Sequence, residues 1–136
     1  MAHDHQAQRY FFRPENRVKK RADFLLAYNN GTVYRRRAIH AFVLPRETPN
    51  LPTRIGFTVT KKNGSAVERN RIRRRLRELV KRVDVVSMRP HSDYVLVGRR
   101  VALNRDFMTM LDDLRGALQR LERQAAKSQS SRPSVT

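Results

Sequence analysis

The chain has no cysteine and no tryptophan, only 12 acidic residues in 136, and no long apolar run. Without cysteine there is no disulfide and no thiolate zinc site, which fits a reducing cytoplasm. Without a run of about 20 apolar residues, no segment reads as a membrane span. The opening stretch MAHDHQAQRYFFRPE has no apolar signal core. The shortage of acids narrows function most. Set against 30 Lys plus Arg, it leaves a net charge of +18. Self-repulsion of that size disfavours the compact state, so a polyanionic partner is expected, nucleic acid rather than membrane. Hydrophobic residues make up 39% of the chain, enough for the one modest core of a single domain.

Residues 1–16 are polar and unpatterned and read as a flexible tail. In RVKKRADFLLAYNNG, Val18, Ala22, Leu25 and Leu26 recur at roughly helical spacing. A helix is expected over 19–29, with Gly31 as a left-handed cap. TVYRRRAIHAFVLP reads as one strand. Ile39, Ala41 and Val43 alternate with His40, Phe42 and Leu44, as in a central strand covered on both faces. RETPNLPT is a turn by composition. RIGFTVTKK follows as a second strand with Ile55, Phe57 and Val59 on one face, and the short connection suggests a hairpin. Ser65 is placed to cap a long helix over 66–82. SMRPHSD breaks it and YVLVGRR is a short buried strand. Asn104 is placed to cap a last helix with Phe107, Leu111, Leu114, Leu118 and Leu121 on its apolar face. QAAKSQSSRPSVT reads as a disordered tail. The expected plan is a tail at 1–16, one domain at 17–124 and a disordered tail at 125–136. The domain is a small layered α/β fold in which the helix at 66–82 crosses over between two strands.

KKNGSAVERNRIRRRLRELVKR, residues 61–82, concentrates ten basic residues against two acids, Glu68 and Glu78. On a helical wheel Ile72, Leu76, Leu79, Val80 and Val83 form one apolar stripe. Arg69, Arg73 and Arg77, spaced i, i+4, i+8, make a row along its border; Asn70, Arg74 and Lys81 lie beside the row, and Arg71 faces solvent. Guanidinium forks bind phosphate oxygens bidentately and keep their charge, and Asn70 can reach a base edge or a 2′-hydroxyl. A solvated helix face usually mixes signs, and this one does not.

The block TVTKKNGSAVERNRIRRRLRE resembles the signature of the bacterial ribonuclease P protein subunit. In that family a strand ends in paired basic residues, and a Gly precedes A-V-x-R-N-R-x-(K/R)-R-x-x-R-E. RVKKRADFLLAYNNG and DYVLVGRR also resemble the family's first helix and last strand, so the similarity spans about 17–121. The resemblance implies an α/β sandwich of order α-β-β-(β)-α-β-α, with a central mixed sheet and a left-handed crossover helix, opposite to the general rule. It implies that Arg69, Asn70, Arg71, Arg73, Arg74 and Arg77 meet the catalytic RNA. It implies that Phe24 and Tyr28, with Phe42, Lys61, Lys62 and Arg99, hold the single-stranded 5′ leader of precursor tRNA. Tyr28 stands where members often carry Phe, so the ring survives. Ser65 stands where some carry another basic residue, so one phosphate contact is expected to be missing. Read from the residues alone, Phe24 and Tyr28 at i, i+4 fit either a core pair or a stacking platform.

A catalytic set is not evident. His3 and His5 lie in the tail, and His40 and His91 have no carboxylate at a recognisable spacing; His40 reads as packed or cleft-lining. Asp112 and Asp113 fall on the side of the last helix expected to be exposed. The expected role is therefore an auxiliary RNA-binding subunit of a cytoplasmic endoribonuclease, non-catalytic alone. Mg²⁺ would be held mainly by the RNA subunit, and no obligate protein partner or membrane is inferred. A general ribosomal or nucleoid protein would explain the charge but not the spaced RNR block, and a protein-only nuclease would need an active site that the sequence does not display.

Overall fold

The computed structural model describes residues 14–46, 53–83 and 92–131. Within them run α1 (Arg21–Asn30), β1 (Thr32–Arg35), β2 (Ile39–Pro45), β3 (Arg54–Thr58), α2 (Ala66–Arg82), β4 (Ser92–Gly98) and α3 (Phe107–Ser131). Short 3-10 turns occupy Pro14–Asn16, Lys61–Asn63 and Arg100–Leu103. The expected α/β class is what forms.

The strands pair in the order β1-β2-β4-β3. β2 lies antiparallel to β1 and β4, and β3 lies parallel to β4. This corrects two expectations. TVYRRRAIHAFVLP is a hairpin of two strands, closed where the Arg36 N–H donates to the Ile39 carbonyl at 2.8 Å. β2 and β3 do not pair with each other, because β4 lies between them; α2 is the crossover that joins parallel β3 and β4. Most of the turn read at 46–53 and of the break at 87–93 lies outside the described residues, as do His3, His5 and His91.

Strand alternation divides the sheet's two faces. Ile39, Ala41, Val43, Ile55, Tyr94 and Leu96 pack with the α2 stripe and with Met110, Leu114, Leu118 and Leu121 of α3. On the other face Val33, Phe42, Leu44, Val95 and Val97 meet Phe24, Ala27 and Tyr28 of α1. The sheet and the α2–α3 pair are two full layers, and α1 is a partial third.

α1 is not amphipathic in the way its sequence suggested. Leu25 and Leu26 are 43% and 49% exposed, Ala22 is exposed, and Ala27 carries the contact with the sheet. Gly31 has an ordinary extended backbone, φ −79°, rather than a left-handed one. Glycine is needed there for space: a Cβ would stand 2.5 Å from the Ala27 carbonyl oxygen and 2.8 Å from that of Val43.

The ends of the domain also differ from expectation. Asn16 is buried, and its Nδ2 donates to the Thr53 carbonyl at 2.9 Å. Packing therefore begins before residue 17, and it continues where the Val18 N–H donates to the Ile55 carbonyl at 3.0 Å. Asp106, not Asn104, caps α3: its Oδ2 accepts the Thr109 N–H at 3.0 Å. Asn104 instead ends the turn before it. α3 runs on to Ser131, through residues read as a disordered tail. Ala, Gln, Lys and Arg favour that extension, and Pro133 is the first strong breaker after Gly116.

One buried ion pair ties the layers. Asp93 of β4, 3% exposed, accepts from Arg54 Nε and Nη2 at 2.8 and 2.7 Å. Arg46 stands 3.5 Å from the same carboxylate, and Asp23 of α1 lies 3.4 Å from Arg54.

Gly116 sits inside α3, where glycine costs roughly 0.5–1 kcal/mol relative to alanine. An added Cβ would approach only Arg36 Nη2, at 3.4 Å, an ordinary contact. Gly116→Ala is expected to raise the melting temperature by about 2–4 °C. A lower value in a thermal melt would show that the methyl displaces Arg36.

Candidate nucleic-acid interface

α2 begins where its sequence says it should. Ser65 Oγ accepts the Glu68 N–H at 3.2 Å, and Glu68 Oε1 accepts the Ser65 N–H at 2.9 Å, a reciprocal cap. Gly64 precedes it at φ 144°, a conformation that other residues rarely adopt. Those hydrogen bonds, first the one from the Ser65 backbone and then that from Arg100, hold the Glu68 carboxyl below its ordinary range. Ser65 thus serves the helix start at the position where some relatives were expected to place a further cation.

Both acids of α2 are engaged locally. Glu68 pairs with Arg100 at 3.1 Å and Glu78 with Lys81 at 3.0 Å. Arg69, Arg71, Arg73, Arg74 and Arg77 have no carboxylate partner among the described residues. Arg69 and Arg73 are half-buried on the stripe's border, as expected, and Asn70, Arg71, Arg74 and Arg77 are exposed. Asn70 Oδ1 accepts from Arg73 Nη1 at 2.8 Å, and Arg77 lies over the Phe57 ring at 5.9 Å. The first contact lies within α2, and the second brings Arg77 against the β3 edge of the sheet. Arg75 behaves differently, and its role was missed in the sequence. It donates to the carbonyls of Ala102, Leu103 and Arg105 at 2.6, 3.0 and 2.7 Å. Its position next to the stripe was the only clue.

The second feature is a groove of about 500 Å³ between α1 and the sheet, lined by Lys19, Arg21, Phe24, Leu25, Tyr28, Thr58 and Thr60. Phe24 reaches it because Gly56 leaves room beneath the ring: a Cβ on Gly56 would lie 2.8 Å from Phe24 Cε1. Tyr28 packs edge-on against Phe42, centroids 5.1 Å apart at 69°. Burial pushes the Tyr28 phenol above its ordinary pKa, opposed by a hydrogen bond with the Thr58 side chain. Both rings are half-buried, so each serves the core with one side and the groove with the other. Phe42 is 9% exposed and mainly supports Tyr28. Lys61 and Lys62 are exposed in the turn after β3, and Arg99 is half-buried at the end of β4.

Among the described residues there is no group of three or more His, Asp or Glu side chains that could hold a metal ion. Asp112 is exposed as expected, whereas Asp113 is half-buried and pairs with Arg105 at 3.3 Å. Among the same residues no helix is long and apolar enough to cross a membrane.

The family model described as Ribonuclease P matches residues 12–122. The chain belongs to the ribonuclease P protein family. It is 42% identical over 102 residues to the ribonuclease P protein component of Caulobacter vibrioides, covering 75% of this chain and 68% of that one. It is 43% identical over 105 residues to that of Gluconacetobacter diazotrophicus, covering 77% and 90%. Among solved structures, the ribonuclease P protein of Thermotoga maritima aligns with a TM-score of 0.64 and 26% identity over 76% of this chain and 96% of its own. The Staphylococcus aureus protein gives 0.63 and 28% over 76% and 93%. As a ribonuclease P protein, the chain is a subunit of the ribonucleoprotein that processes the 5′ end of tRNA.

Proposed function

We propose that the α2 arginine row docks the catalytic RNA and the α1 groove holds the single-stranded 5′ leader of precursor tRNA. Hydrolysis, leaving a 5′-phosphate on the mature tRNA, is the work of the RNA subunit in the cytoplasm, and the chain alone does not cleave. The observation that carries this reading is the pairing of two surfaces. One is an arginine row whose neighbouring acids are already engaged. The other is a groove with aromatic and aliphatic walls and basic residues at its rim. Phosphates suit the first, and unstacked bases with their backbone suit the second. Mg²⁺ is held mainly by RNA phosphates, and the protein favours the metal-bound RNA by lowering repulsion among its strands. No obligate protein partner is needed.

Reconstitution tests this directly. The purified chain is combined with a bacterial ribonuclease P RNA, precursor tRNA and low Mg²⁺. Cleavage at the mature 5′ end that needs both components is the expected result; cleavage by the protein alone would overturn it. A chain that leaves the RNA's activity unchanged would favour a general nucleic-acid-binding protein. The row makes a finer prediction. Arg69→Ala with Arg73→Ala weakens binding to the catalytic RNA and lowers the slope of log K against log salt by about one to two. An unchanged slope in filter-binding titrations would remove these two residues from the interface.

A further inference from the structure

Beside the groove, along the strand row that contains Thr58, lies a cluster that none of the roles above fully uses. Arg35 of β1 lies directly opposite His40 of β2. His40 lies opposite Val97 of β4, two residues before Arg99. The Arg99 N–H donates to the Ala38 carbonyl at 2.9 Å, which carries the pairing past the end of β4. Val33 and Phe42 pack with α1, so strand alternation places Arg35 and His40 on the same face as that helix. Opposed residues in a sheet keep their Cβ atoms about 4.5–5.5 Å apart and diagonal ones about 7–8 Å, within reach of arginine. The row continues through Val97 to Thr58, which lines the groove.

The charges there are unbalanced. Arg35 and Arg99 have no carboxylate partner among the described residues. His40 is half-buried between them. Burial first, then the charges of Arg99 and Arg35, holds its imidazole below the ordinary histidine range. On this row β3 presents the uncharged Thr58, and α1 presents Tyr28, whose hydroxyl is engaged by Thr58. Two guanidinium groups and an imidazole thus surround a site with no anion from the described residues.

We propose that Arg35, His40 and Arg99 form a seat for one phosphodiester of the single-stranded RNA that lies in the α1 groove. The proposal rests on the leader reading of that groove and adds Arg35 and His40 to it. The two guanidinium forks bind phosphate oxygens, and His40 supplies a further donor. A seated phosphate opposes the field of the two arginines, so the imidazole binds a proton as RNA binds. Affinity then rises as pH falls below the bound-state pKa of His40, and that gain is lost as pH rises through it.

The test follows the imidazole of His40 by NMR in the full chain, with and without a short single-stranded oligoribonucleotide. The titration midpoint is expected to move up on binding. Affinity is expected to rise about three- to tenfold from pH 8 to pH 6, and His40→Asn to abolish most of that rise. Arg35→Ala is expected to weaken binding severalfold at both pH values. Binding with an unmoved His40 midpoint overturns the seat and leaves the groove reading intact. No binding of the oligonucleotide overturns both.

Discussion

Precursor tRNA carrying its leader loses about tenfold to a hundredfold in affinity when Tyr28 is replaced by alanine, while leaderless tRNA binds as before. The magnitude follows from base–aromatic stacking, worth about 1–3 kcal/mol per base. The selectivity follows from position: Tyr28 lines the α1 groove and lies on a different helix from the arginine row. Phe24→Ala should act in the same direction. Its ring also fills the space above Gly56, so the variant is expected to lose stability as well. The measurement is a pair of dissociation constants for each variant, with and without leader, alongside a melting curve. Equal loss on both substrates would mean that the rings serve the fold and not the RNA.

Asp93→Ala is expected to destabilise the domain by about 3 kcal/mol or more, lowering the melting temperature by roughly 10 °C. The cost comes from what is left behind. Asp93 takes two hydrogen bonds from Arg54, whose side chain is only 17% exposed. Removing the carboxylate leaves that guanidinium with Asp23 alone among the described acids, at 3.4 Å. Replacing both partners by apolar residues of similar size should cost much less, because no unpaired charge remains. Calorimetry on the single and double variants checks both statements. A double variant as unstable as Asp93→Ala would show that packing, not charge, makes the pair necessary.

What could be read from the sequence was local. The α2 boundaries, the Ser65 cap and the apolar stripe all follow from residues within a few positions of one another. The RNR block was legible for the same reason. What escaped depends on partners far along the chain. Nothing in RIGFT or DYVLVG announces that β4 will separate β2 from β3. Gly31 was identified as special, but for its backbone angle. The real constraint is space beside the carbonyls of Ala27 and Val43, and the second of these comes from a distant strand that local reasoning does not see. Leu25 and Leu26 were assigned inward by spacing, and the sheet instead takes Phe24, Ala27 and Tyr28. At the site, the α2 row was legible and the arrangement of the groove was not. Arg35, His40 and Arg99 lie apart in sequence and meet only through strand register. Arg75 had no assigned role, because the three carbonyls it binds lie 27–30 residues further along the chain.

The placement of β4 has a consequence for how the chain is made. This strand pairs with both β2 and β3, yet it is translated after the 33 residues that follow Thr58. At about 5–20 residues per second, roughly 2–7 s pass between the two events. During that interval β3 and the β4-facing edge of β2 lack their shared neighbour, and the α2 stripe has only part of its core. A nascent chain halted before Gly98 therefore has no complete sheet to fold around. Folding waits on β4, and the growing chain carries its basic segment past the ribosome's own RNA before the domain can close.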